Sequence, residues 1–272
     1  MVYKLEKWYG RLGNNIIQLY NLLSISVYNN TDVLIPPHKF LNKTLIKINN
    51  EIGSNEIGSN EIEPNEKFFL KKNLIKNNGI LPEVFDINKD KVECILRDLF
   101  IIKSDTEMCL GDNDVVIHIR SGDLFKDGQK NTGDYTPAPL SYYTEILNNN
   151  NFEKIYIASE DKKNPCIDKL LKLYPTIIFK QQKLEDDIDL ILRTKNVICS
   201  IGTFIPSLLM LSKNIKNVYM NDFDYNINTE NYINKINGNV IVLDYSEYYK
   251  RIGRFWWNTD LHFYTMLNYK NE

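Results

Sequence analysis

Between residues 114 and 243 the sequence repeats one pattern, a short apolar run followed by a polar break and a segment of helical periodicity. The apolar runs fall at 115–119, 155–158, 176–179, 197–199, 217–220 and 240–243. Helix-like segments at 140–147, 165–173, 186–194 and 206–213 mostly alternate with them. Runs this short and apolar suit strands buried on both faces, and a helix between two strands returns the chain to its sheet in parallel. The pattern therefore predicts a largely parallel, doubly wound sheet of Rossmann-like type. A smaller unit precedes it. "VYKLEKWYG" and "DVLIPP" read as strands, and between them Ile16, Leu19, Tyr20 and Leu23 recur at helical spacing. The expected class is α/β, with two lobes and a cleft between them, divided as 1–110 and 111–250. The closing 251–272, rich in aromatics, is expected to be helical and to pack back on the first half. Residues 49–66 hold the repeat "EIGSNEIGSN", too polar to bury a core of its own, and are expected to form a flexible surface insertion.

Composition narrows the partners. With 272 residues, 43% of them hydrophobic, the chain can bury one large core or two small ones. Its formal net charge of -2 provides no field to draw nucleic acid or anionic lipid, so the expected partner is small or neutral. Cys94, Cys109, Cys166 and Cys199 are scattered, without a CxxC pair, and the histidines are His38, His118 and His262. No zinc site is expected, and the thiols read as reduced core residues. The longest apolar run, 197–211, contains Gly202 and Pro206 and falls short of the ~20 residues of a membrane span. The start carries charges where a signal peptide needs an apolar core, so a soluble, cytoplasmic protein is expected.

In an open parallel sheet, ligands sit where loops leave the carboxyl ends of the strands. Three polar clusters fall at such exits. In "DVVIHIRSGDLF", His118 and Arg120 share one face of the strand top, and Gly122 lets the chain turn. Arginine offers a planar fork of donors matched to phosphate oxygens. "KIYIASED" leaves its strand into Ser159, Glu160 and Asp161, where a carboxylate can accept from a guanine edge or ribose hydroxyls. "NVICSIGTFIPSLLML" turns through Ser200, Gly202 and Thr203 into a helix whose free N–H groups suit a pyrophosphate. Neither a Walker loop nor a GxGxxG fingerprint occurs, which excludes the usual ATPase and dehydrogenase signatures.

Three blocks, "GRLGNN" (10–15), "HIRSGD" (118–123) and "DLILRTKNVICSIGTF" (189–204), resemble the signature blocks of the alpha-1,2-fucosyltransferases, within the wider GDP-fucose-dependent superfamily. The resemblance implies a GT-B fold of two facing Rossmann-like domains. It implies inverting transfer of fucose from GDP-fucose to a glycan hydroxyl, with no metal and no other cofactor. It places Arg120 on the donor diphosphate, His118 and Asp161 on the guanine, and Ser200, Gly202 and Thr203 along the donor site. Arg11 and Asn14 would stand near the reacting sugar from the opposite lobe. Asp123 is either the general base or a lock on its own loop. The chain departs from the family in having Ser121 where a second arginine is usual and Asn15 where glutamine is usual. Protein O-fucosyltransferases use a single arginine in the corresponding motif, and another GDP-linked deoxysugar remains an alternative donor.

Two rival readings stand beside it. "NVYMNDFDYN" places Asp222 and Asp224 in a DxD triplet after an apolar strand, the arrangement by which a metal-dependent GT-A transferase holds a divalent cation. A binding protein for carbohydrate or nucleotide sugar would keep the fold and lose turnover, and Ser121 is the residue that favours it.

Overall fold

A computed structural model describes residues 2–48, 82–104, 109–126, 135–223, 236–253 and 255–271. The insertion expected at 49–66 and Asp224 lie outside the described residues. The chain divides into two compact units, Met1–Ile102 and Lys103–Glu272.

In the first unit, β1 (Val2–Lys4) runs parallel to β2 (Asp32–Leu34), which pairs antiparallel with β3 (Leu45–Ile46). Helix α1 (Leu12–Tyr28) connects β1 to β2, as its periodicity predicts. Every residue from Asn15 to Val27 is buried. It packs against α2 (Lys89–Leu99) and a short 3-10 turn, Pro82–Phe85. A helix enclosed on this scale must satisfy its polar side chains internally. Two of them do so on one residue: Tyr9 N–H donates to Gln18 Oε1 at 2.8 Å, and Tyr9 C=O accepts from Asn15 Nδ2 at 2.8 Å. The segment just before Gly10 is thereby held by helix side chains in place of a strand neighbour.

The second unit is built on six parallel strands: β4 (Val115–His118), β5 (Ile155–Ala158), β6 (Ile177–Phe179), β7 (Asn196–Ile198), β8 (Asn217–Asn221) and β9 (Asn239–Leu243). Their order across the sheet is β6-β5-β4-β7-β8-β9. This is the doubly wound Rossmann order, with the topological switch between β4 and β7. Helices α3 (Leu140–Asn148), α4 (Pro165–Leu173), α5 (Leu184–Arg193) and α6 (Phe204–Leu209) lie between the strands in chain order. Val115, Val116 and Ile117 of the central β4 are all fully buried, as strands covered on both faces require. Tyr142 of α3 carries its hydroxyl into this core and shares its hydrogen between the carbonyls of Cys199 at 3.1 Å and Tyr219 at 2.9 Å.

The closing segment forms two helices, α7 (Ser246–Ile252) and α8 (Asp260–Asn268), separated where Gly253 takes φ +84°. Expected to return to the first half, it finds its buried surface in the second unit: Tyr245, Tyr248, Ile252, Trp256 and Met266 join Tyr142, Tyr143 and Ile146 in one core. The aromatic side chains decide this, since Trp256 meets Phe125 edge-on at 5.6 Å and Tyr248 O–H reaches the Pro137 carbonyl at 2.9 Å. Among the described residues, no helix is long and apolar enough to cross a membrane.

Candidate functional site

The strand register sets three exits side by side. His118 pairs with Ala158, and Ile117 with Ile198, so β4, β5 and β7 end at one level. The loops that follow carry Arg120, then Ser159 to Asp161, then Ser200 to Thr203, the clusters singled out in the sequence.

His118 is the last residue of β4. Its ring lies 5.3 Å from that of Phe204, tilted by 44°. Burial, helped by the nearby Arg120 charge, pushes its pKa down to about 3, so the imidazole is neutral at working pH. Its Nδ1 is buried, and no hydrogen bond reaches it among the described residues. A buried ring nitrogen without a partner is uncommon in a folded chain and suits one that a ligand completes.

Arg120 sits at the switch between the sheet halves. Its guanidinium lies 4.4 Å over the Tyr135 ring, and its Nη2 stands 3.4 Å from Asp123 Oδ2. Gly202, at φ +113°, leaves the remaining side open: a Cβ there would stand 3.0 Å from Arg120 Nη1. The fork is thus confined by a ring, a carboxylate and a bare backbone. Ser200 supports this from below, its Oγ accepting the Arg120 N–H at 3.1 Å. Thr203 occupies the N-cap position of α6 without a side-chain cap bond. Helix α6 has only 6 residues, so its dipole is slight beside the charge of Arg120.

Asp161 is committed to the loops. Its Oδ1 accepts from the Ser121 hydroxyl, from Gly122 N–H at 3.2 Å and from Lys163 N–H at 3.0 Å, while Oδ2 stands 3.3 Å from the Lys163 ammonium. Burial alone would raise its pKa, but these bonds, that of Ser121 first among them, outweigh it and hold the carboxyl below the ordinary range. Ser121, at the position of the expected second arginine, is 2% exposed. It donates to Asp161 and accepts from Asn164 N–H at 2.9 Å, which leaves no room there for a long cationic side chain. Gly122 turns the chain at φ +61°, with the Glu160 carboxylate packed where a Cβ would be.

In the first unit, Arg11 is exposed at the N-cap position of α1, and Asn14 in the first turn packs its amide against Gly10, whose φ is +66°. Asn15 is buried, and its Oδ1 stands 3.3 Å from His38 Nε2. His38 Nδ1 accepts from Phe40 N–H at 3.3 Å, which assigns the proton to Nε2. His38 follows β2, a strand exit that the sequence pattern marks.

Other residues of the second unit also went unnoticed in the sequence. Tyr135 lies in a loop with no spacing signal. Asn164 precedes Pro165, the familiar opening of a helix, and was legible as a cap. Asp187 stands in the first turn of α5, where burial, together with the charge of Asp186 and against a 2.9 Å bond from Gln182, raises its pKa to about 7. Of the DxD pair, Asp222 uses Oδ1 to accept Tyr245 N–H at 2.7 Å, a bond that fixes the approach to α7. Among the described residues, no three histidine, cysteine, aspartate or glutamate side chains gather as a metal site.

No protein-family model and no curated protein matches the sequence. Among solved structures, NodZ alpha-1,6-fucosyltransferase, from a crystal soaked with GDP-fucose, is similar over 78% of this chain and 92% of that chain, at 10% identity and a TM-score of 0.36.

Proposed function

We propose that the chain is a GDP-fucose-dependent glycosyltransferase of the GT-B class, moving fucose to a glycan hydroxyl with inversion. The observation that carries this is the confined Arg120 fork at the β4/β7 switch, next to the buried and unsatisfied Nδ1 of His118. A nucleotide laid across the switch point places its diphosphate at the arginine and its base toward the imidazole.

The chemistry follows from charge. As the acceptor oxygen attacks the anomeric carbon, the bond to the diphosphate breaks and negative charge grows on GDP. Arg120, held by Tyr135 and Asp123 before the ligand arrives, meets that charge without reorganisation. Gly202 and Thr203 let the phosphates approach the backbone, and Ser200 steadies the arginine from its N–H side. Neutral His118 offers Nδ1 as an acceptor to a base N–H, and Asp161 Oδ2, which stands beside the Lys163 ammonium, takes a further donor from base or ribose. Asp123, paired with Arg120, serves better as a lock on the fork than as a base. The resemblance assigns Arg11 and Asn14 to the sugar or acceptor. With protein donors on the leaving group, no metal is needed.

The test is release of GDP from GDP-fucose in the presence of a glycan panel, alongside calorimetry with GDP. Acceptor-dependent GDP release supports the transferase. Tight GDP binding with no release would identify a nucleotide-sugar-binding protein, the reading that Ser121 favours.

A further inference from the structure

We infer that Asn164 is a positioning residue for Arg120; the inference rests on the role given to Arg120 above. The β4 ladder ends just before the arginine: Ile119 N–H still donates to Ala158 C=O at 3.0 Å, but among the described residues the peptide groups of Arg120 have no strand partner. They are held by side chains from two other exits. Ser200 Oγ accepts the N–H at 3.1 Å, and Asn164 Nδ2 donates to the C=O at 3.0 Å.

Asn164 is 0% exposed, and each of its polar groups is engaged. Its Oδ1 accepts Cys166 N–H at 3.0 Å and caps α4. Its own N–H donates to Ser121 Oγ at 2.9 Å. Its Nδ2 serves Arg120. Capping needs only an acceptor, which serine, threonine or aspartate also supply. Holding the Arg120 carbonyl as well needs a donor at a second place; a serine or threonine hydroxyl has both functions on one oxygen, whereas asparagine carries acceptor and donor on separate atoms, Oδ1 toward Cys166 and Nδ2 toward Arg120. One buried amide therefore ties the start of a helix to the main chain of the residue whose guanidinium is confined against Gly202. A rotation of that peptide would swing the fork away from the ring of Tyr135.

The two tasks separate in Asn164→Asp. The carboxylate keeps the acceptor for Cys166 but loses the donor and sets an oxygen against the Arg120 carbonyl. Protonation restores a donor. The titratable groups around the position are Asp161 and Lys163 in its own loop, Asp168 in the first turn of α4, the buried Cys166, and Arg120 with Asp123 from the β4 exit. Burial and the neighbouring carboxylates favour the protonated form as the pH falls, against the Arg120 and Lys163 charges and the start of α4.

The experiment compares the wild-type chain, Asn164→Asp and Thr259→Ala, the last removing an N-cap at α8. At about pH 8, kcat for GDP release is expected to fall about tenfold or more in Asn164→Asp and to stay unchanged in Thr259→Ala. The deficit in Asn164→Asp, relative to wild type, is expected to shrink as the pH is lowered toward 6. The Arg120 Nε–H resonance, assigned by its loss in Arg120→Lys, should shift in Asn164→Asp at high pH and return at lower pH. Wild-type kcat in Asn164→Asp with an unmoved resonance overturns the inference, as does a deficit independent of pH. If the wild-type chain neither binds nor turns over the donor, the proposed function fails, and the resonance still decides the positioning.

Discussion

Arg120 and Gly202 face each other at the sheet switch: the guanidinium Nη1 stands 3.0 Å from the point where a side chain at 202 would begin, closer than an ordinary van der Waals contact. The glycine is also held at φ +113°, a region that strains any residue with a Cβ. Gly202→Ala is expected to cost about 1–2 kcal/mol in stability, seen as a lower melting temperature, and to displace the fork. Arg120→Ala should leave the fold intact and lower turnover by about 10²- to 10³-fold. Arg120→Lys should restore little, because a point charge does not reproduce a bidentate fork. Normal turnover in Arg120→Ala would remove this residue from the mechanism.

Asp161 separates a lock from a ligand contact. Asp161→Ala strands the buried Ser121 hydroxyl and Gly122 N–H, so a drop of several degrees in melting temperature is expected. Asp161→Asn keeps an acceptor and should melt closer to wild type while weakening GDP binding, since an amide presents a donor to donating base groups. Calorimetry showing unchanged GDP affinity in Asp161→Asn would leave the carboxylate with its structural task alone.

Asp187 gives the protein a pH dependence of definite sign. The unfolded carboxyl releases its proton near the ordinary 3.8, whereas the folded one holds it until about 7. Across that window the native state binds more protons, so this group lowers stability as the pH rises and adds nothing further above it. Asp187→Asn is expected to melt above wild type at about pH 8, with the gap closing toward pH 4. A gap constant across that range, by calorimetry, would mean that Asp187 ionises in the fold as it does in water.

The metal question is settled by chelation. Turnover is expected to survive excess EDTA. Asp222→Ala, which loses the bond to Tyr245 N–H, should reduce stability by about 1 kcal/mol without abolishing GDP release. Complete loss in EDTA, restored by manganese and absent in Asp222→Ala with Asp224→Ala, would move the chemistry to the DFD loop.

The strands of the second unit were legible because each is a short apolar run bounded by polar breaks, and β5 spans the predicted 155–158. Helix α1 was legible from Ile16, Leu19, Tyr20 and Leu23. The clustering of His118, Arg120 and Ser200 followed from parallel topology, which places strand exits together. What each polar group touches did not follow. Asp161 looked like a free acceptor because the sequence does not reveal that Ser121 and Gly122 donate to it across 40 and 39 positions. The burial that perturbs Asp187 depends on tertiary packing, which its neighbours in the chain do not report. The closing segment was read as helical from its aromatics, but the partner of those rings is a matter of shape.

The core of the second unit also imposes an order on synthesis. The described elements of the first unit are complete when α2 ends at Leu99, so that unit has its packing partners early, while the chain is still being made. The second unit lacks Tyr248, Trp256 and Met266 until those positions are made, well after its sheet, and until then Tyr142, Tyr143 and Phe125 lack part of their cover. Nascent chains halted before residue 245 should accordingly be protease-sensitive and recruit chaperones through the second unit, with protection arriving in one step as α8 emerges.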